Sequence, residues 1–316
     1  MRFDALTDEP RLLMEVDLEP LQGSRFQPTG FPDLGAATYE KPDDTSMLLV
    51  ESAQSMANRL EEVCWDEEKH RLVDDLTGLP YVQSQIEDDV TTNSLLEAHR
   101  LNSPFIVNSP EFQDEIAPAI GFEKNEPFDR GKLVRALAKY DINCLIHGVF
   151  LEKVAGTVRL ARALSGFIEA SHINVAASGG VKLDRVQPAS GGKETKYGRS
   201  NEGYGNVPFH REEFTGRIKA YFNLDLAQIR GYGLDEAVEE LLIALSLYKI
   251  RRFLHEGLRL RTACDLRTAG ELRVMRPEGF TVPELQALKD SMPSLIEGAG
   301  EYFADPPVTT VTYTSG

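Results

Sequence analysis

Residues 11–19 read RLLMEVDLE and residues 47–64 read MLLVESAQSMANRLEEVC, and these two stretches decide the fold. In the first stretch every second residue from Leu12 to Leu18 is apolar, which predicts a strand with one buried and one open face. The second stretch begins with a short apolar strand at 47–50. Its apolar residues then recur at helical spacing from Ala53 to Cys64, and Ser52 is placed to cap that helix.

The rest of the chain continues this alternation of strands and helices. The predicted elements are a helix at 129–140, a strand at 143–151, an extended segment at 157–175, a strand at 214–228, a long helix from Asp235, closing strands at 259–266 and 271–275, and a helix at 283–298. The order strand, helix, strand, interruption, strand, helix, strand is that of a split βαβ unit. We predict an α+β fold, a modified ferredoxin-like or RNA-recognition-motif core with large insertions, in one domain spanning residues 1–316.

Two regions differ in composition from this predicted core. Residues 66–127 are acidic and are broken by prolines at 80, 104, 110 and 118, so we predict an insertion of short strands and helices outside the core. Residues 178–211 are rich in Gly, Lys and Arg and poor in large aliphatic side chains, so they cannot supply a core of their own. We predict a protruding, thumb-like basic insertion there.

The composition, 41% apolar and 27% charged over 316 residues, is typical of a soluble globular protein. Apolar stretches fall short of the roughly 20 residues of a membrane span, and the acidic start is unlike a secretory signal, so we expect a cytoplasmic protein. The net charge of −16 is uneven: residues 1–125 hold 9 Lys and Arg against 26 Asp and Glu, whereas residues 126–275 hold 23 against 18. A basic centre in an acidic chain keeps nucleic acid among the candidate partners.

The usual signatures of catalysis are missing from the sequence. Gly192 and Lys193 lack the rest of a phosphate-binding loop, the six histidines show no paired metal spacing, and no nucleophile elbow occurs. Cys64, Cys144 and Cys264 are odd in number and widely spaced, and we expect them to be reduced and buried. We therefore expect no enzyme activity, no cofactor and no metal.

Two segments place hydrogen-bond donors beside accessible backbone. Residues 22–31 combine glycines with polar side chains, and the start of the helix after residue 50 offers free amides to an anion. The candidate RNA-binding residues here are Ser24, Arg25 and Gln27 in the loop and Ser52, Gln54, Ser55, Asn58 and Arg59 at the helix start. The plainer interpretations are an ordered turn with Arg25 paired to an acid, and an ordinary capped helix with Arg59 paired on its surface.

A third candidate is the stretch 153–211, which interleaves basic and aromatic residues. Basic side chains neutralise phosphates, while aromatic rings stack on bases. The candidate RNA-binding residues of this stretch are Lys153, Arg159, Arg162, Lys182, Arg185, Lys196 and Arg199. The alternative is a solvated excursion without a ligand.

Four stretches closely resemble a known family. They are LLMEVDLEPLQGSRFQPTGFPDLGAATYE at 12–40, MLLVESAQSMANRLEEVCWD at 47–66, RALSGFIEASHINVAASGGVKLDRV at 162–186 and LRLRTACDLR at 258–267. They resemble the CRISPR-associated RAMP-superfamily backbone subunits of type I-G surveillance complexes, formerly called I-U. The resemblance implies a thumb between the second and third core strands and several copies aligned along a CRISPR RNA. It also implies further partners: a target DNA strand paired to the guide, other subunits of the complex and, indirectly, a helicase-nuclease.

The residues and the resemblance favour a non-enzymatic subunit that binds CRISPR RNA, oligomerises along it and leaves the bases free to pair with target DNA. An alternative from the enzyme class is a metal-dependent ribonuclease that cuts guide-paired RNA with an exposed acid such as Asp33. A third hypothesis is a purely protein-binding scaffold. We expect no membrane partner.

Overall fold

The computed structural model describes residues 2–31, 35–87, 90–121, 128–152, 158–186 and 205–313. The strands in chain order are β1 (Leu12–Pro20), β2 (Gly30–Phe31), β3 (Gly35–Ala36), β4 (Thr38–Glu40), β5 (Ser46–Glu51), β6 (Trp65–Asp66), β7 (Arg71–Leu72), β8 (Tyr81–Glu87), β9 (Val90–Asn93), β10 (Val149–Leu151), β11 (Val158–Leu160), β12 (Leu164–Lys182), β13 (Val207–Leu224), β14 (Arg259–Arg261), β15 (Cys264–Thr268), β16 (Arg273–Arg276) and β17 (Val308–Thr312). The α-helices are α1 (Ala53–Glu62), α2 (Pro104–Val107), α3 (Ala117–Ile120), α4 (Arg130–Tyr140), α5 (Asn143–His147), α6 (Leu226–Arg230), α7 (Glu236–Glu256) and α8 (Leu285–Gly298).

The main sheet has the strand order β14, β15, β1, β13, β12, β5, β4, and β16 also pairs with β1. Its four central strands follow the chain as β1, β12, β13 and β15, with α1 before β12 and α7 before β15. A sheet order of fourth, first, third and second strand is the ferredoxin-like arrangement. The predicted α+β class and ferredoxin-like core are confirmed, and β5 and β4 extend this core at one edge.

Burial in β1 and α7 explains how this core is packed. Leu12, Met14, Val16 and Leu18 of β1 are buried while the intervening residues are half-buried, as the alternation predicts. Helix α7 is buried over much of its circumference and packs against α1 and α8. The helices therefore cover one face of the sheet and leave the other face open, as the sequence predicts.

Two predicted strands are partly wrong. Residues 143–147 form helix α5, because Asp141 Oδ1 accepts a hydrogen bond from the Asn143 amide at 3.0 Å and starts a helical turn. Gly148, at φ +75°, ends that turn before β10. Strand β13 ends at Leu224 rather than continuing to 228, because the Asp225 carboxylate caps α6 by accepting from the Gln228 amide at 2.8 Å. A short buried apolar run does not distinguish helix from strand by periodicity.

The acidic segment 66–127 contains the expected short strands and helices, but its predicted place outside the core is wrong. Leu76, Ile106 and Phe112 are completely buried in the same apolar cluster as the sheet residues. Strand β8 lies between β9 and β17 in a second sheet, so this segment also joins residues 308–312 to the body of the protein. The described acids of this segment are exposed or half-buried, so its acidic composition is compatible with a buried apolar side.

The two longest strands continue past the core as a two-stranded ribbon. The pairing of β12 with β13 extends from Leu164–Leu224 to Lys182–Val207. Val175, Val181 and Leu183 are exposed, so the outer part of this ribbon does not enter the core. The described ends of the predicted thumb, 178–211, are thus strands of this ribbon, and its residues 187–204 lie outside the described ranges. Within the described helices, none has the length and apolar character needed to span a membrane.

Candidate nucleic-acid interface

The loop between β1 and β2 is fixed against the base of the ribbon. Phe26 pairs with Phe214 through two backbone hydrogen bonds of 2.9 and 2.8 Å, and both rings are buried. The Gln27 amide donates to the carbonyl of Ala263 at 2.7 Å, and the Thr29 amide donates to the carbonyl of Val50 at 3.0 Å. The loop predicted to meet a ligand is therefore held in one place by its neighbours.

A cleft of about 610 Å³ lies between this loop and the ribbon. Its lining residues are Gln27, Pro28, Thr29, Gly30, Gly35, Ala36, His210, Arg211, Glu212 and Arg261. A Cβ on Gly30 would lie only 2.8 Å from the carbonyl oxygen of Gly35, and Gly35 has φ +69°. Both positions therefore require glycine, which leaves bare backbone at the cleft wall.

Arg25 and Arg211 share one buried carboxylate at the edge of the cleft. Glu213 lies 3.4 Å from Arg25 and 2.7 Å from Arg211, and its side chain is only 7% exposed. The Nε of Arg211 is buried and has no hydrogen-bond partner in the described chain. Two guanidinium groups on one carboxylate leave an excess of positive charge and of donors.

Arg59 and Arg261 share a second buried carboxylate. Arg59 donates to Glu51 at 3.0 Å, and Arg261 donates to the other carboxylate oxygen, while the Glu51 side chain is 1% exposed. Arg59 also donates to the Leu260 carbonyl at 2.7 Å, and Arg261 donates to the carbonyl of Gln27 at 2.9 Å. These contacts make Arg59 part of the scaffold that joins α1 to the β14 hairpin, and its predicted RNA contact stays a prediction.

The start of α1 lies beside this scaffold. Ser52 caps the helix by accepting a hydrogen bond from the Ser55 amide at 3.3 Å, and Gln54 and Asn58 are exposed. Ser24 in the loop is exposed as well. The structure thus brings Arg25, Gln27 and the helix start to neighbouring positions.

The other basic candidates lie elsewhere or are not described. Arg159 and Arg162 line a second cavity, and Arg162 also donates to the carbonyl of Ala53 at the start of α1 at 3.1 Å. Lys182 is the last residue of β12, and Arg185 is exposed just beyond it. The predicted residues Lys153, Lys196 and Arg199, and Asp33 of the nuclease hypothesis, lie outside the described residues.

Sequence reasoning missed Arg261 and His210 as lining residues of the cleft. Arg261 belongs to the stretch LRLRTACDLR, which carries part of the family resemblance. The sequence pattern around a basic residue in a short strand does not indicate which distant residues it contacts. The pairing of Gln27 with Ala263 and Arg261 connects segments more than 230 residues apart. Only the folded chain shows that these segments meet.

The open face of the sheet carries aromatic and charged residues in register. Phe167 stacks on Tyr221 with ring centroids 5.0 Å apart. Lys219 pairs with Glu15 at 2.8 Å, and Arg273 pairs with the same carboxylate at 2.9 Å. Lys219 and Arg273 are thus neutralised by acids within the protein, whereas the cleft keeps an excess of arginine.

The cysteines and the metal-binding residue types show no catalytic grouping in the described chain. Cys64, Cys144 and Cys264 are free and buried, as predicted, and burial raises the pKa of the Cys264 thiol to about 11. Among the described residues, no three His, Cys, Asp or Glu side chains come together as metal ligands.

Fold and cleft define an α+β protein with a ferredoxin-like core and an arginine-rich cleft beside a glycine-containing loop. The chain belongs to the family described as CRISPR-associated protein GSU0053, whose model matches residues 12–175. The matched region contains β1, the cleft loop, α1 and the first part of β12. A search of curated protein sequences found no match.

Solved structures with low similarity were also found. A chain of a "CRISPR RNA-guided surveillance complex, pre-nicking" is 13% identical, with 92% of this chain and 88% of that chain covered and a TM-score of 0.41. Csc2 of Thermofilum pendens is 12% identical, with 96% and 84% covered and a TM-score of 0.30.

Proposed function

We propose that the protein is a non-enzymatic backbone subunit of a type I-G CRISPR surveillance complex. Several copies bind along one CRISPR RNA, contact the other subunits and support pairing of the guide with target DNA. Membership of a CRISPR-associated family supports this context. The observation that carries the proposal is the cleft, where Glu51 and Glu213 are each shared by two arginines.

The cleft supplies what a phosphodiester needs. The Arg211 side chain lines the cleft and is 39% exposed, and the Arg25 side chain is 56% exposed, so both can donate to phosphate oxygens while Glu213 holds them in position. The bare backbone at Gly30 and Gly35 allows a strand to approach closely. Contacts of this kind hold any guide sequence and leave the base edges free, as a backbone subunit requires.

The test is guide retention by the assembled complex. We expect the purified complex to contain protected short RNA, and we expect Arg25→Gln and Arg211→Gln to weaken its retention equally for unrelated guides. Each lost phosphate contact lowers the slope of log K against log salt by about 0.7 to 1. Arg267→Gln removes one exposed charge outside the cleft and serves as the control. A complex without RNA, or unchanged retention in both variants, contradicts the proposal.

The non-enzymatic part of the proposal has its own test. The assembled complex is incubated with RNA complementary to the guide and with Mg²⁺, and we expect the RNA to remain intact. A guide-directed cut that disappears in Asp33→Ala, in a complex that still assembles, would establish the ribonuclease hypothesis instead.

A further inference from the structure

A second cavity of about 550 Å³ lies apart from the cleft, between α4, α5 and the β10 and β11 hairpin. Its described lining residues are Ala98, His99, Arg100, Asn102, Arg130, His147, Gly148, Val149, Phe150, Arg159, Leu160, Ala161 and Arg162. Four of these are arginines and two are histidines, and none of the described lining residues is an acid. In a chain of net charge −16, such a lining is selective for an anion.

One of the four arginines is neutralised by its own partner. Arg100 donates to both oxygens of the buried Glu61 at 2.7 and 2.6 Å. For Arg130, Arg159 and Arg162, the described chain contains no carboxylate within ion-pair distance. Arg162 donates only to a neutral group, the carbonyl of Ala53 at 3.1 Å. Burial and the nearby Arg100 lower the pKa of Arg162, and Glu61 offsets only part of this effect.

His147 adds a buried donor to this wall. Its Nε2 lies 2.9 Å from the ammonium of Lys249, which can only donate, so Nε2 accepts and the proton of the neutral ring is assigned to Nδ1. That Nδ1 is buried and has no hydrogen-bond partner among the described residues. The residue is 1% exposed and lines the cavity. An unsatisfied buried N–H is costly, and an acceptor in the cavity would satisfy it.

A flat surface stands beside these donors. The Arg159 guanidinium lies over the Phe150 ring at 4.5 Å from its centroid, and Phe150 is partly exposed. A planar guanidinium and an aromatic ring are the surfaces on which nucleobases stack. Cavity volume, donors and flat surface together match the size and chemistry of one nucleotide.

We propose that this cavity binds a single nucleotide, with its phosphate on Arg130, Arg162 and the Nδ1 proton of His147 and its base against Arg159 and Phe150. The nucleotide is either a free 5′-nucleotide or one residue of a nucleic-acid strand. The cavity shares no lining residue with the cleft, so binding here can be tested apart from the proposed contacts of Arg25 and Arg211.

Titrations of the full chain with AMP, adenosine and a random-sequence RNA hexamer test this site. We expect AMP or the hexamer to bind and adenosine, which lacks the phosphate, to bind at least tenfold more weakly. Arg162→Gln and Arg130→Gln should each weaken the binding by about tenfold or more. Arg130 is exposed at the start of α4, so its variant reports on the site even if Arg162→Gln perturbs the fold.

Two controls separate the possible results. Arg267→Gln removes a charge outside the cavity and should bind as wild type, whereas Arg211→Gln in the cleft should leave AMP binding unchanged. AMP binding that depends on Arg162 and Arg130 identifies a free nucleotide, and hexamer binding alone with the same dependence identifies a strand. If neither probe binds, or if binding is equal in wild type and both cavity variants, the proposal is overturned.

Discussion

At the scale of single residues, the protein uses buried carboxylates that serve two arginines each. Glu51 holds Arg59 and Arg261, and Glu213 holds Arg25 and Arg211. The two pairs differ in exposure: Arg59 is enclosed by α1 and the β14 hairpin, whereas Arg25 is open to solvent. A buried ion pair broken on one side leaves an uncompensated charge, while an exposed pair contributes little.

Arg59→Gln should therefore act mainly on stability. We expect the free energy of unfolding to fall by about 1–3 kcal/mol, because Glu51 loses one of its two charged partners and the Leu260 carbonyl loses its donor. Arg71→Gln removes one of the two cations paired with the exposed Asp74 and should cost at most about 1 kcal/mol. Urea denaturation of the two variants measures the difference, and equal costs would show that Arg59 does not support the fold.

His147 should make stability depend on pH. Burial, Lys249 and Arg100 hold the pKa of His147 well below its ordinary value of 6.5, so the folded state resists protonation that the unfolded state accepts. Above pH 6.5 His147 is neutral in both states and the free energy of unfolding is not reduced by its protonation. Below pH 6.5 the free energy of unfolding falls, by up to about 1.4 kcal/mol per pH unit. Melting from pH 5 to 7.5 measures the loss. His147→Gln should remove this component, whereas His99→Gln, at an exposed position, should keep it.

At the scale of elements, the inner and outer parts of the ribbon of β12 and β13 have different roles. Its inner part belongs to the sheet, and its outer part, beyond Ala176, carries exposed side chains. The outer part therefore contributes little apolar burial, and its length is available for contacts outside the subunit.

Closing this ribbon should spare the fold and impair assembly. Lys182 and Val207 are paired, so residues 183–206 can be replaced by Asn-Gly, which forms a two-residue hairpin turn. We expect an unchanged melting temperature, because Leu183 and Val186 are exposed and the removed sequence is poor in large aliphatic residues. We also expect fewer copies per guide in the purified complex by mass measurement. Full occupancy of the guide would show that the thumb is not needed to join neighbouring copies. A marked loss of stability would show that it packs on the core.

The elements that periodicity predicted well are those whose two faces differ. Strand β1, with apolar residues at every second position, and helix α1, with Ser52 as its cap, lie within two residues of their predicted bounds. The sequence predicts a strand in place of helix α5 because all residues of this helix are buried, so that no exposed face reveals the period. The candidate site was predictable only as separate segments, since the Gln27–Arg261 contact depends on the strand order of the sheet.

At the scale of the whole molecule, the acidic total and the arginine-rich cleft act together. Residues 1–125 hold 26 acids against 9 basic residues, so this part of the chain repels nucleic acid. The cleft concentrates four arginines against Glu51, Glu212 and Glu213. Binding at the cleft should thus be limited to a few phosphates.

The salt dependence of RNA binding should show this limit. For the isolated subunit with residues 183–206 replaced by Asn-Gly, we expect the slope of log K against log salt for single-stranded RNA to be no steeper than about −3, which corresponds to at most four phosphates. Fluorescence titration at several salt concentrations gives the slope. A much steeper value would place the main phosphate contacts on a surface other than the cleft.

The parallel pairing of β17 with β8 has a consequence for synthesis on the ribosome. Val308 pairs with Tyr81, so the second sheet cannot be completed until about 230 further residues have been translated. At roughly 5–20 residues per second, β8 waits about 10–45 s with one edge unpaired. During that interval the nascent chain exposes a strand edge that another chain can bind, and yield on expression should depend on chaperones that cover it.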